Sequence, residues 1–177
     1  LKQCQQGLST QAKISRVRGE AYTVFLRSAR TLLNTHGIPL RYHLNMDHFR
    51  PTPPPERALA YPANLHFDWT RWIEEGLIDE AVLRSDHHRR AMLSDPVGCE
   101  IASRCAAAGV PISFNHHVFS DDDWYLQEAL RVANDGRFAG SVLYENQTFL
   151  RSDAAGNWHF VLPVAESICR AFETTRK

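Results

Sequence analysis

No stretch of this chain is apolar for long enough to cross a bilayer, and its N-terminus lacks the apolar core of a secretory leader. A basic surplus is missing too. Lys plus Arg and Asp plus Glu each number 20, giving a formal net charge of +0. Nucleic-acid and anionic-membrane binders normally carry a positive excess, so neither partner is expected, nor is membrane insertion. Neither GxGxxG nor a Walker loop occurs. That removes the usual phosphate cradle of nucleotide-binding sheets, and no cofactor is expected. Cysteine is sparse: Cys4, Cys99, Cys105 and Cys169 make no CxxC pair or dense framework and are expected to be reduced. An initial Met is also missing. The chain starts at Leu1, part-way into a pattern, so a partial sequence is expected and the compartment stays open.

What is present is an ordinary globular composition, 44% hydrophobic and 23% charged over 177 residues, enough for one partial domain with a core. Within it one unit recurs four times: a helical stretch, a short turn containing glycine, then a brief apolar strand with a polar end. The first helix is expected from Gly19 to Asn34, with Tyr22, Phe25, Leu26, Ala29 and Leu33 on one face. Gly37 turns the chain into a strand at 38–44. Trp69, Trp72, Ile73 and Leu77 mark a short second helix closed at Gly76, with a strand at 78–84. Both tryptophans are expected in the core. A third helix, Gly98 to Ala108, ends at Gly109 before a strand at 110–115. The fourth, Asp122 to Ala133, leads through Asp135-Gly136 to a strand at 138–144, and a last helix spans Pro163 to Glu173. The proline-dense segment Arg50 to Asn64 reads as an extended wall.

Helix alternating with strand is the signature of a parallel sheet. Right-handed crossovers leave two architectures, the doubly wound sheet and the (β/α)8 TIM barrel. Without a nucleotide loop the barrel is favoured, and four strands make half of one. Side-chain alternation then assigns the faces. Tyr42, Leu44 and Met46 should meet the helices, leaving His43, Asn45 and Asp47 inward. Ala81 and Leu83 go outward, with Val82, Arg84 and Asp86 inward. Ile112 and Phe114 go outward, with Ser113, Asn115 and His117 inward. On the last strand Val142 and Tyr144 are expected outward, with Ser141, Leu143 and Glu145 inward.

The inward ends are rich in His, Asn, Asp, Arg and Glu at the edge where barrel enzymes keep their chemistry. Glu145, directly after an apolar strand, could protonate a glycosidic oxygen or face an anomeric carbon. Asp86, held ionised near Arg84, could serve as nucleophile or base. His43, Asn45, Asp47, Arg84, Asn115 and His117 would bind substrate. The pairs His87-His88 and His116-His117 raise a metal-dependent alternative, with Asp86, His117 and Glu145 as ligands. Adjacent strand residues point oppositely, however, so each pair offers one inward ligand, and no bound metal is expected. A non-catalytic carbohydrate-binding barrel is the third reading.

The stretches DWTRWIEEGLIDEAVLR (Asp68 to Arg84), YPANLHFDW (Tyr61 to Trp69) and GSVLYEN (Gly140 to Asn146), with the helix GEAYTVFLRSAR (Gly19 to Arg30), resemble the bacterial glycosyl-hydrolase-like family 10. The resemblance runs over nearly the whole chain and implies an α/β fold, the C-terminal half of a TIM barrel with four parallel strands and covering helices. It also implies a glycoside hydrolase with a carbohydrate substrate. The same reading expects a missing N-terminal barrel half, or self-association of the fragment, and no activity from the fragment alone.

Overall fold

A computed structural model describes residues 10–46, 66–85, 91–144 and 148–175. The elements run α1 (Thr10–Thr35), β1 (Arg41–Asn45), α2 (Trp69–Glu74), β2 (Glu80–Arg84), α3 (Pro96–Ala107), β3 (Ile112–His117), α4 (Asp123–Ala133), β4 (Phe138–Tyr144), β5 (Leu150–Ser152), β6 (Trp158–Phe160) and α5 (Pro163–Thr175). The chain is an α/β protein. Strands β1 to β4 form one parallel sheet in sequential order, and β5 pairs antiparallel with β6 beside it.

Three of the four helix–glycine–strand units share one local cause, whereas after α4 the chain turns on Asp135, whose Oδ1 accepts from Arg137 N–H at 3.0 Å. Gly37, Gly76 and Gly109 take positive φ of 65°, 64° and 69°, just past the ends of α1, α2 and α3. The next residue in each case is apolar, and its N–H reaches back to a carbonyl in the last helical turn. Ile38 N–H donates to Leu33 O at 3.0 Å, Leu77 to Trp72 O at 2.8 Å, and Val110 to Cys105 O at 2.9 Å. This Schellman closure satisfies carbonyls the helix leaves open and aims the chain back towards the sheet. A β-carbon at any of the three positions would strain the backbone rather than collide, since open space surrounds each one.

The helices gather on one face of the sheet. Leu44, Met46, Ala81, Leu83, Ile112 and Phe114 from β1 to β3 and their ends pack with Leu26 of α1, Trp72 of α2, Ile101 of α3 and Val132 of α4. Trp72 is at the centre, fully buried and edge-on to Tyr42 and Phe67, with ring centroids 5.2 and 5.8 Å away. Its indole N–H donates to Thr23 Oγ1 at 2.9 Å, so burying the ring strands no polar atom. A second cluster joins Val118, Tyr125, Ala129, Phe149, Val164, Ala165 and Ile168, with Leu143 and Phe160 against it. It fastens α5 and the β5–β6 hairpin to α4.

Several elements differ from expectation. α1 begins at Thr10 rather than Gly19, which lies inside it. That glycine is needed for contact, not for a cap: a β-carbon there would stand 2.1 Å from the His66 carbonyl oxygen. On the same helix Leu26 is buried, but Phe25, one residue away and 100° round the axis, is 62% exposed. The β5–β6 hairpin was not anticipated. Its loop is organised by Asp153, whose Oδ1 accepts from the N–H groups of Ala155 and Asn157, both at 2.9 Å. This is Asx-turn chemistry on a short polar run. α3 starts at Pro96 behind an Asp95 cap that accepts from Val97 N–H.

The largest correction concerns β4. Ile112 pairs with Phe138, but Ser113 pairs with Gly140, so the β4 strand carries an extra residue. The bulge shifts the alternation by one. Phe138 meets the helices, whereas Val142 and Tyr144 share a face with Asn115 and His117, and Ser141 and Leu143 turn towards the helix side. The expected faces of all four β4 residues are therefore exchanged.

Candidate functional site

The face of the sheet away from the helices carries His43 and Asn45 on β1, Val82 and Arg84 on β2, Ser113, Asn115 and His117 on β3, and Val142 and Tyr144 on β4. Parallel pairing brings their C-terminal ends level: Asn45 lies beside Arg84 and His117 beside Tyr144. The predicted residues His43, Asn45, Arg84, Asn115 and His117 thus reach one sheet face. Asp47, Asp86 and Glu145 lie outside the described residues, as do His48, His87, His88, Tyr61 and the Arg50 to Asn64 segment.

Tyr144, expected to point at the helices, ties the centre of this face together. Its ring stands 4.9 Å from that of His117, and the Arg84 guanidinium carbon lies 5.3 Å from the Tyr144 centroid. A cation over an aromatic face is held by the ring quadrupole. Asn115 Nδ2 sits 2.9 Å from His117 Nε2. With the amide turned this way the imidazole accepts at Nε2 and keeps its proton on Nδ1. Phe119 adds a third ring, 5.8 Å from His117. Asn115 is buried, and its Oδ1 has no hydrogen-bond partner, an acceptor that a hydroxyl brought to it would satisfy. The signal for Tyr144 was available in the sequence as Ala139-Gly140, since glycine inside a strand pattern marks a bulge.

Electrostatically the face favours a neutral His43. Partial burial is the first cause holding the His43 pKa below the usual histidine range, followed by the charges of Arg84 and Arg41. The adjacent His116 points the other way. Its ring packs 4.4 Å from Phe114, and burial with the nearby His117 pushes its pKa down to about 3. The two histidines therefore diverge, as strand alternation demands. Among the described residues no three His, Cys, Asp or Glu side chains form a group that could hold an ion.

Other reactive groups of the described chain have structural duties. The acidic run at 121–123 is used for capping: Asp122 accepts from Trp124 N–H at 2.9 Å to start α4, and Asp121 accepts from Val164 N–H at 2.7 Å to start α5. Cys99 Sγ donates to Leu93 O at 2.8 Å, and burial pushes Cys105 up to about 11, away from thiolate chemistry. Glu128 is buried on α4 beside Arg131 at 3.4 Å, and burial raises its pKa against the pull of that arginine. No described helix is long and apolar enough to cross a membrane.

No family model, curated protein or solved structure matches the chain.

Proposed function

We propose that the chain forms the C-terminal half of a (β/α)8 barrel that binds a glycan at its strand ends and hydrolyses a glycosidic bond there. The observation that carries this reading is the sheet itself. Its four parallel strands run in sequential order, the cores of α1 to α4 lie on one face, and polar and aromatic groups lie on the other. A doubly wound sheet would reverse its strand order and cover both faces with helices. A barrel keeps its helices outside and its chemistry at the C-terminal rim. The reading calls for four further parallel strands between β4 and β1.

The rim groups suit a neutral, hydroxyl-rich ligand. Tyr144 and His117 offer ring faces for a pyranose, Asn115 and Asn45 offer amide donors and acceptors, and Arg84 offers a fan of N–H donors. His43 completes the set at the β1 edge. Glu145 and Asp86, at the ends of β4 and β2 in sequence, are assigned as the carboxylate pair, one as acid/base and the other as nucleophile or base. Asp47, just beyond β1, is assigned to substrate binding.

The test has two arms. Isothermal titration of the protein with cello-, chito-, xylo- and manno-oligosaccharides should give binding to at least one, weakened by Tyr144→Ala. Reducing-end release by the complete barrel should fall at least about a hundredfold in Glu145→Gln, the scale expected for losing a general acid, with binding retained. Unchanged turnover removes Glu145 from the chemistry. Absence of binding to the whole series removes the glycan reading.

A further inference from the structure

The β5–β6 hairpin stands in the connection from β4 to α5, at the same C-terminal edge of the sheet as Asn115, His117 and Tyr144. Exposed aromatic groups collect at this edge. Among the described residues, the large apolar side chains that are exposed and lie neither on α1 nor just past it are Phe119, Tyr144, Trp158 and Val161. Phe119 comes just beyond β3, Tyr144 ends β4, and Trp158 and Val161 belong to the hairpin and its exit. Trp158 is the most open of them, at 67% exposed. An indole kept in water at a rim that already carries ring faces is not the scattered exposure normal for a surface.

Local chemistry fixes where this indole stands. Thr148 Oγ1 donates to Val118 O at 2.9 Å and Val161 N–H to Phe149 O at 2.8 Å, which roots the hairpin beside the end of β3. That is the side of β4 facing β3, away from the edge that no described strand covers. Leu150 and Phe160, cross-strand partners on the same hairpin face as Trp158, pack into the cluster around Val118 and Tyr125. Trp158 pairs with Ser152 at the tip, about 7 Å further along the strands. Asp153 locks the turn, with Oδ1 accepting two backbone N–H groups and Oδ2 accepting from Asn157 Nδ2 at 3.0 Å. The residue before Trp158 is therefore held, and little freedom remains to be lost when a ligand arrives.

We infer that Trp158 is an outlying sugar platform, stacking on one residue of a glycan chain whose reacting end lies over Tyr144 and His117. This rests on the glycan reading and adds that the substrate is an oligo- or polysaccharide rather than a short glycoside. The surroundings of the indole choose the occupant. The C–H face of a pyranose matches a flat apolar ring, and its hydroxyls need polar neighbours. The exposed Ser152 opposite and the exposed Asn157 beside it supply them. A protein partner would need a broad contiguous apolar patch, whereas here single rings are separated by polar groups. His117 continues the track inward, its ring 5.8 Å from Phe119 and 4.9 Å from Tyr144. Only a chain of several sugar rings reaches both the strand ends and the hairpin tip.

The test is chain-length dependence. Cello-, chito-, xylo- and manno-oligosaccharides are each titrated into the protein as disaccharide and as hexasaccharide. In the series that binds, the hexasaccharide should bind at least about tenfold more tightly, the scale of a well-placed tryptophan contact. Trp158→Ala should remove that advantage and leave disaccharide affinity and melting temperature unchanged. A second measurement needs no variant. N-bromosuccinimide should oxidise Trp158 before the buried Trp69 and Trp72, and only the hexasaccharide should protect it, as read by mass spectrometry. Equal affinity for the two lengths, a length advantage that survives Trp158→Ala, or oxidation indifferent to the hexasaccharide overturns the inference and leaves the glycan reading standing. Equal weakening of both lengths by Trp158→Ala overturns it as well. No binding by any series at either length removes both.

Discussion

The two faces of the parallel sheet are made from the same strands and obey opposite rules. On the helix face Leu44, Ala81, Leu83 and Ile112 have no exposure, and rings interlock around Trp72. On the other face the residues alternating with them are His43, Arg84, Asn115 and His117, held by an amide–imidazole contact and a cation over a ring. One face gains stability from close packing, where each lost methylene is felt. The other presents groups whose hydrogen-bonding capacity is worth most when a ligand arrives. Substitutions should therefore separate cleanly, stability on one side and binding on the other.

The largest effect should come from Trp72→Ala. Removing a buried ring that contacts Tyr22, Tyr42 and Phe67 should cost about 3–5 kcal/mol in urea unfolding. A cost below about 1 kcal/mol would break the contrast, since it would mean that the helix face is loosely packed.

The helix side also holds titratable exceptions, and they sharpen the comparison through pH. His116, with its pKa lowered to about 3, binds fewer protons folded than unfolded. Its contribution is present above the unfolded value and is lost as pH falls from about 6.5 towards 3, at roughly 1.4 kcal/mol per pH unit. Denaturation midpoints followed across that window should slope accordingly, and His116→Phe should flatten the slope.

Arg84→Ala and Tyr144→Ala should behave in the opposite way. Each breaks the cation–ring contact at the strand ends and should weaken oligosaccharide binding about tenfold, equivalent to about 1.4 kcal/mol. The unfolding midpoint should move little. A loss of stability comparable to Trp72→Ala would place these residues in the core and dissolve the distinction between faces.

Glu128→Gln should give the smallest change and the opposite pH sign to His116. Burial raises the Glu128 pKa, so the folded state holds the proton more tightly and stability is lost as pH rises through that range. The amide variant should be more stable than the parent at neutral pH by about 1 kcal/mol, with the difference vanishing in acid. Thermal melts at the two pH values measure it.

The repeated unit was legible because its causes are local. A glycine at positive φ followed by an apolar residue fixes the ends of α1, α2 and α3 within six residues, and the apolar runs that follow declare themselves as strands. Strand alternation correctly sorted β1, β2 and β3 into helix-facing and site-facing sets, because no residue was inserted there. β4 failed for the same reason in reverse. One extra residue between Phe138 and Gly140 exchanged Tyr144 with Leu143, and a period of two carries no memory of a slip.

The sequence by itself determined the four repeated helix–strand pairs and the last helix, that the sheet is parallel, and which side chains of the first three strands face the helices. These follow from backbone preference and short-range periodicity. Tertiary structure alone decided that Tyr144 joins Arg84 and His117, that Gly19 lies against His66 rather than opening a helix, and that Phe25 faces solvent while Leu26 is buried. Each of these depends on where a distant segment comes to rest, through pairing register or steric contact, and those are settled only when the layers meet.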